Sequence, residues 1–178
     1  MALEYWLKGD IPPGPIRATV LTDIGKVVDI IKRSRHSAVM FIGSNIRTIE
    51  KILNADIVKI ITEISKIIGI PIITSDALVV RRLDEAGFTN YKIAFPLELV
   101  QKLSRREFNY QLVVLIGTRY TYGWLLLNHL KHYRADIQTL SIDPYAQPNA
   151  TWTLPSLPLQ LWFKNLLQMI EILKSSTT

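Results

Sequence analysis

The sequence predicts a three-layer α/β domain built on a doubly wound parallel sheet. Three observations carry this expectation. Ala38–Ile42 and Leu112–Ile116 are apolar at every position, as strands buried on both faces are. Each run stops at a glycine and a hydroxyl residue, Gly43-Ser44 and Gly117-Thr118, and each is followed by a helical pattern. Strand-like and helix-like segments then alternate, which implies βαβ units with right-handed crossovers.

Residues 1–22 read as an arm and residues 23–178 as one domain. Ile11-Pro12-Pro13-Gly14-Pro15 cannot be helix and makes a poor central strand, so the arm is expected to run extended over the surface. Asp23 can cap a helix whose stripe is Ile24, Val27, Val28 and Ile31. The strand Ala38–Ile42 follows. Ile46 to Ile68 then repeats Ile at helical spacing, with a break near Asn54 and a stop at Gly69. Ile70–Thr74 is the second strand, and Pro71 is tolerable near its start. Ser75 or Asp76 can cap a helix through Arg82 that Gly87 ends. Tyr91–Ala94 suits a short strand, and Pro96 suits the first turn of a helix reaching Leu103. After the strand Leu112–Ile116, Tyr122 to Tyr133 is a helix and Ile137–Ile142 a strand. Asp143-Pro144 is a turn. Residues 144–158 hold four prolines and read as an irregular surface segment. The last helix, Leu159–Leu173, is expected to bury Leu161, Trp162, Leu166, Met169, Ile170 and Leu173.

The chain has 178 residues, 48% of them apolar, enough for one domain with a substantial core. Cysteine is absent, which excludes disulfides, thiolate metal sites, iron–sulfur ligation and cysteine nucleophiles. That usage fits a cytoplasmic protein, and abundant Ile and Lys without Cys fits a thermophilic source. No apolar stretch approaches the roughly 18 residues of a membrane span, and Met1 to Asp10 lacks the pattern of a secretory leader. The formal charge of +6 invites a nucleic-acid reading. Its placement argues against one. Lys32-Arg33 with Arg35, Arg81-Arg82, Lys102 with Arg105-Arg106, and Lys131 with Arg134 mostly fall late in the expected helices, where cations complement the dipole. Docking of an acidic partner is the alternative.

The candidate site follows from topology. In open α/β sheets, ligands bind outside the carboxyl ends of the strands, where the winding reverses. Gly43, Ser44 and Asn45 leave the first core strand, yet they form neither a G-x-G-x-x-G fingerprint nor a P-loop. As a plain tight turn they need no ligand. As a nucleotide site they would offer donors to phosphate at a helix amino terminus. Thr74, Ser75 and Asp76 leave the second strand, as a helix cap or as partners of a ribose. Gly117, Thr118 and Arg119 leave the third; Arg119 is either solvated or a phosphate ligand. Asp143 would close the far side. On this reading Gly43→Val should abolish binding with little change in fold. His129 and His132 lie three apart on a helix without a third ligand, so no metal site is expected. No G-x-S-x-G elbow is present, and no residue is nominated as catalytic.

Several segments in chain order carry a resemblance. They are the arm from Ile11 to Val20, Ile30-Ile31-Lys32-Arg33, Val39-Met40-Phe41-Ile42-Gly43, Ile70-Pro71-Ile72, Leu115-Ile116-Gly117, and Gln147-Pro148-Asn149-Ala150-Thr151-Trp152. In these the chain resembles the epsilon subunit of archaeal CO dehydrogenase/acetyl-CoA synthase, the acetyl-CoA decarbonylase/synthase complex. The Pro-Gly-Pro arm and the Asn-Ala-Thr segment are its specific parts. His36-Ser37, where the family usually has a proline, and Thr74-Ser75-Asp76, where smaller residues with Gly are usual, depart from its pattern. The resemblance implies a Rossmann-like fold of the deoxyhypusine-synthase type, a NAD/FAD-binding domain with six or seven parallel strands. It implies a non-catalytic accessory subunit whose large partner carries nickel and iron–sulfur clusters. It also implies a flavin such as FAD, or another dinucleotide, or a purely stabilising role. The expected partners are that large catalytic subunit or further copies of the chain, with no nucleic acid and no membrane. Trp6, Tyr145 and Trp152, in irregular segments, are either interface anchors or side chains tucked onto the domain's own core. The competing reading is a stand-alone nucleotide- or dinucleotide-binding enzyme.

Overall fold

A computed structural model describes residues 18–175. Seven parallel strands form one sheet in the order β1-β7-β6-β5-β2-β3-β4. They are β1 (Thr19–Val20), β2 (Ala38–Ile42), β3 (Ile72–Thr74), β4 (Tyr91–Ile93), β5 (Leu112–Ile116), β6 (Gln138–Ser141) and β7 (Trp152–Thr153). The helices are α1 (Ile24–Arg33), α2 (Ile46–Leu53), α3 (Ile57–Ile68), α4 (Ala77–Glu85), α5 (Pro96–Ser104), α6 (Tyr120–Tyr133) and α7 (Leu159–Ser175). The doubly wound parallel sheet is the architecture the apolar runs imply.

Both core strands alternate between two separate cores, as burial on both faces requires. Ala38, Met40 and Ile42 of β2, with Leu112, Val114 and Ile116 of β5, pack under α1, α3, α4 and α7. Val39, Phe41, Val113 and Leu115 pack under α5 and α6. Local chemistry sets the helix ends. The Asp23 carboxylate accepts from Gly25 N at 2.8 Å and Asp56 from Lys59 N at 2.9 Å. Asn54 breaks the Ile-rich stretch in the left-handed conformation, φ 49°, and Gly69 ends it at φ 84°.

Three expectations are corrected. Leu161 is 46% exposed, because the buried stripe of α7 runs through Trp162, Leu166, Met169, Ile170 and Leu173 and leaves Leu161 a residue out of phase. The segment after Asp143 is interior: Pro144, Ala146, Gln147, Pro148, Asn149 and Ala150 are all buried. It is clamped because Ala18 N donates to Pro148 O at 3.2 Å and Thr151 N to Thr139 O at 3.0 Å. Trp152 is half-buried against the core within β7, whereas Tyr145 is 55% exposed. Trp6 and the Pro-Gly-Pro sequence lie outside the described residues. The end of the expected arm, Thr19–Val20, is an edge strand paired with β7.

Candidate functional site

The chain winds from β2 through β3 to β4, then returns by α5 to place β5 on the other side of β2. The winding therefore reverses between β2 and β5, whose exits are Gly43 and Gly117. This is the switch-point geometry at which α/β ligands bind. A cleft of about 440 Å³ opens there, lined by Phe41, Gly43, Ser44, Ser75, Pro96, Thr118, Arg119 and Tyr122. A smaller cup of about 180 Å³ adjoins it, lined by Ser44, Asn45, Arg47, Thr48, Lys51 and Arg119.

The expected site residues divide into two groups. Thr74, Asp76, Gly117 and Asp143 do not line the cleft. They tie the strand exits together beneath it. Thr74 Oγ1 donates to Ile42 O at 2.9 Å, joining β3 to β2. Asp76 accepts from Leu78 N at 3.0 Å and Val79 N at 3.3 Å, capping α4, and pairs with Arg47 Nε of α2 at 2.8 Å. Asp143 is 2% exposed; its Oδ1 accepts from Gly117 N at 2.5 Å and Thr118 N at 3.2 Å, and its Oδ2 accepts from the Thr118 hydroxyl. Burial pushes the Asp143 carboxyl up to about 6, against the opposing pull of those three donors.

The glycines answer to one another. A Cβ on Gly43 would sit 2.4 Å from Gly117 O and 2.9 Å from Thr118 Cα. One on Gly117, at φ 71°, would meet Ile46 Cβ at 2.7 Å and Gly43 O at 2.9 Å. Each glycine admits the backbone of the other loop. Gly43→Val would therefore disturb the fold itself, contrary to the expectation from sequence.

Ser44, Ser75, Thr118 and Arg119 do come together around the cleft, with Gly43 at its floor. Asn45 falls in the adjoining cup. It holds the N-cap position of α2 at φ −66°, ψ −16°, and its side chain makes no capping bond. Sequence reasoning missed Pro96, Tyr122, Arg47, Thr48 and Lys51. Pro96 and Tyr122 arrive from α5 and α6, which only the tertiary winding brings to this edge. Arg47 and Lys51 carried a readable signal: two cations four apart on the helix that leaves the Gly43 turn.

A larger groove of about 620 Å³ runs along α2 and α4. Several of its charges are matched within the protein. Arg82 binds Glu50 at 2.7 and 3.0 Å and also Asp56, and Arg81 binds Glu85 at 2.8 Å. Among the described residues, no group of three or more His, Asp or Glu is placed to hold a metal ion. His129 Nε2 lies 2.9 Å from Ser104 Oγ, and its ring stacks on Tyr133. Among the same residues no helix is long and apolar enough to cross a membrane.

Sheet order, crossovers and the switch-point cleft define a doubly wound, Rossmann-like α/β protein. Residues 10–170 match the family described as CO dehydrogenase beta subunit/acetyl-CoA synthase epsilon subunit, and the chain belongs to it. Membership supports an accessory role like that of the epsilon subunit in a CO dehydrogenase/acetyl-CoA synthase complex.

Proposed function

We propose that the chain is a non-catalytic accessory subunit that holds a flavin or a dinucleotide such as FAD in the switch-point cleft. It would thereby stabilise its complex or assist electron transfer within it. The observation that carries this is the composition of the cleft. Phe41, Pro96 and Tyr122 supply apolar and aromatic wall, while Ser44, Ser75, Thr118 and Arg119 supply donors and one cation. That pairing suits a ring joined to phosphate. Ser44, Asn45 and Arg119 would face the phosphates and Ser75 the ribose. Thr74, Asp76, Gly117 and Asp143 would hold the edge in shape. An accessory role is favoured over a stand-alone enzyme because Asp143, the carboxyl lifted toward neutrality, faces the Gly117–Thr118 backbone rather than the cleft.

Calorimetric titration with FAD, NAD and adenine nucleotides tests the ligand. At least one is expected to bind more tightly than about 1 mM, or roughly −4 kcal/mol. Failure of all three, and of FMN and NADP⁺ as well, leaves a purely structural subunit. Light scattering and co-purification from the native source test the subunit role. A large partner or a homo-oligomer is expected; a strict monomer with no associated chain counts against it.

A further inference from the structure

The cup beside the cleft has an electrostatic peculiarity. Arg47, Lys51 and Arg119 line it, and no carboxylate does. Arg47 is matched by Asp76. Lys51 and Arg119 make no ion pair with any described residue, and neither do the side chains of Ser44, Asn45 and Thr48 make a hydrogen bond to one.

Arg119 and Arg47 also stand where local physics disfavours them, whereas Lys51 falls in the last turn of α2, where a cation suits the dipole. Arg119 occupies the N-cap of α6 and Arg47 the second position of α2. Both are at the positive end of a helix dipole. Arg47 and Lys51 are one turn apart on α2, a like-charged spacing that destabilises an isolated helix. The first-turn amides of α2 already donate, Ile46 N to Gly43 O at 3.2 Å and Thr48 N to Asn45 O at 3.0 Å. An anion here would therefore be held by side chains: two unmatched cations, two hydroxyls and one carboxamide. Two unmatched positive charges suit a dianion. Each phosphate inside a pyrophosphate carries a single charge, whereas a terminal phosphomonoester with its second pKa near about 6 carries close to two. Arg119 and Ser44 line both cavities, so a ligand in the cleft can reach the cup without leaving contact with either.

We infer that the cup formed by Ser44, Asn45, Thr48, Lys51 and Arg119 is a phosphomonoester site. The cleft accordingly selects a nucleotide bearing a terminal phosphate, of the flavin mononucleotide or 2′-phosphorylated dinucleotide type. This rests on the cleft reading above and narrows it.

The test compares matched probes by calorimetry on the full chain at about pH 8, where the phosphate is a dianion. FMN is set against riboflavin and NADP⁺ against NAD⁺, and inorganic phosphate alone is followed by ³¹P line broadening. At least one phosphorylated member is expected to bind about tenfold or more tightly than its partner, since charge-assisted bonds to phosphate are strong. The FMN and NADP⁺ arms distinguish the two sources of the phosphate. The difference should shrink several-fold in Lys51→Gln and in Arg119→Gln, and vanish in the double variant. Equal binding of both members of each pair overturns the phosphomonoester site and leaves the cleft reading standing. So does a difference that survives in the double variant. Binding of inorganic phosphate that depends on Lys51 and Arg119, with no nucleotide bound, keeps the cup and overturns the cleft reading. Absence of all binding overturns both.

Discussion

The carboxyl edge of the sheet has two tiers that differ in how their polar groups are used. In the lower tier, Thr74, Asp76 and Asp143 are buried; Thr74 and Asp143 bond the backbone of neighbouring strand exits, and Asp76 bonds the first-turn amides of α4. In the upper tier, Ser44, Lys51 and Arg119 are exposed and their side chains are bonded to no described residue. Ser44 and Arg119, like Thr74, Asp76 and Asp143, stand at or within three residues of a strand end, and in the sequence both sets look like polar residues after an apolar run. The difference teaches that position at a switch point does not make a residue a ligand group. What distinguishes the two is whether the protein has already satisfied the side chain.

Substitutions in the lower tier should therefore damage the fold, and those in the upper tier should spare it. The largest effect is expected from Gly43→Val. Its side chain meets Gly117 O and Thr118 Cα, main-chain atoms with little freedom to move. A loss of about 3 kcal/mol or more is expected in denaturant unfolding. An unchanged midpoint would mean that the two loops can separate.

Asp143→Asn comes next and is read through pH. The carboxyl rises from 3.8 to about 6 on folding. Between those values the folded protein holds a proton that the unfolded chain has released. Stability from this group is thus full below about pH 4 and is lost as pH rises through about 6. Two units correspond to about 3 kcal/mol. The amide can still accept from Gly117 and Thr118 and donate to the Thr118 hydroxyl, so the variant should fold. Thermal unfolding of the pair across pH 4 to 7 should show the gap moving in favour of Asn as pH rises; parallel curves would refute it.

Asp76→Ala removes a cap and leaves Arg47 unpaired, for an expected cost of about 1 kcal/mol by differential scanning calorimetry. Smallest of all, Ser44→Ala and Ser75→Ala should change stability by under about 0.5 kcal/mol. If the cleft reading holds, they should still weaken nucleotide binding by a few-fold. A large stability loss in either would erase the distinction between tiers.

Legibility in the sequence follows the range of the interactions. β2 and β5 could be read because burial on both faces demands an apolar residue at every position. Asp23, Asn54 and Gly69 could be read because caps are local. β1 and β7 could not, since two-residue strands have no period. Residues 144–158 were misread because proline usually marks exposed turns. Here the covering partners include Ala18 and Thr19, about 130 residues away in the chain, besides the nearby Thr139. In the site, the exits were legible and their roles were not. Asp143 looks like a turn residue until the β5 exit is seen resting on it.

The pairing of Thr19 with Trp152 has a consequence for the order of assembly. Of the described strands, β1 is synthesised first, and it is among the last to find its place. α1, which follows it, packs on α7, the last described helix. A nascent chain must therefore carry an unpaired strand and an uncovered apolar helix face through most of its synthesis. Such late, long-range closure slows folding and prolongs exposure to aggregation. Loss of α7 would strip the cover from α1 as well as from α3.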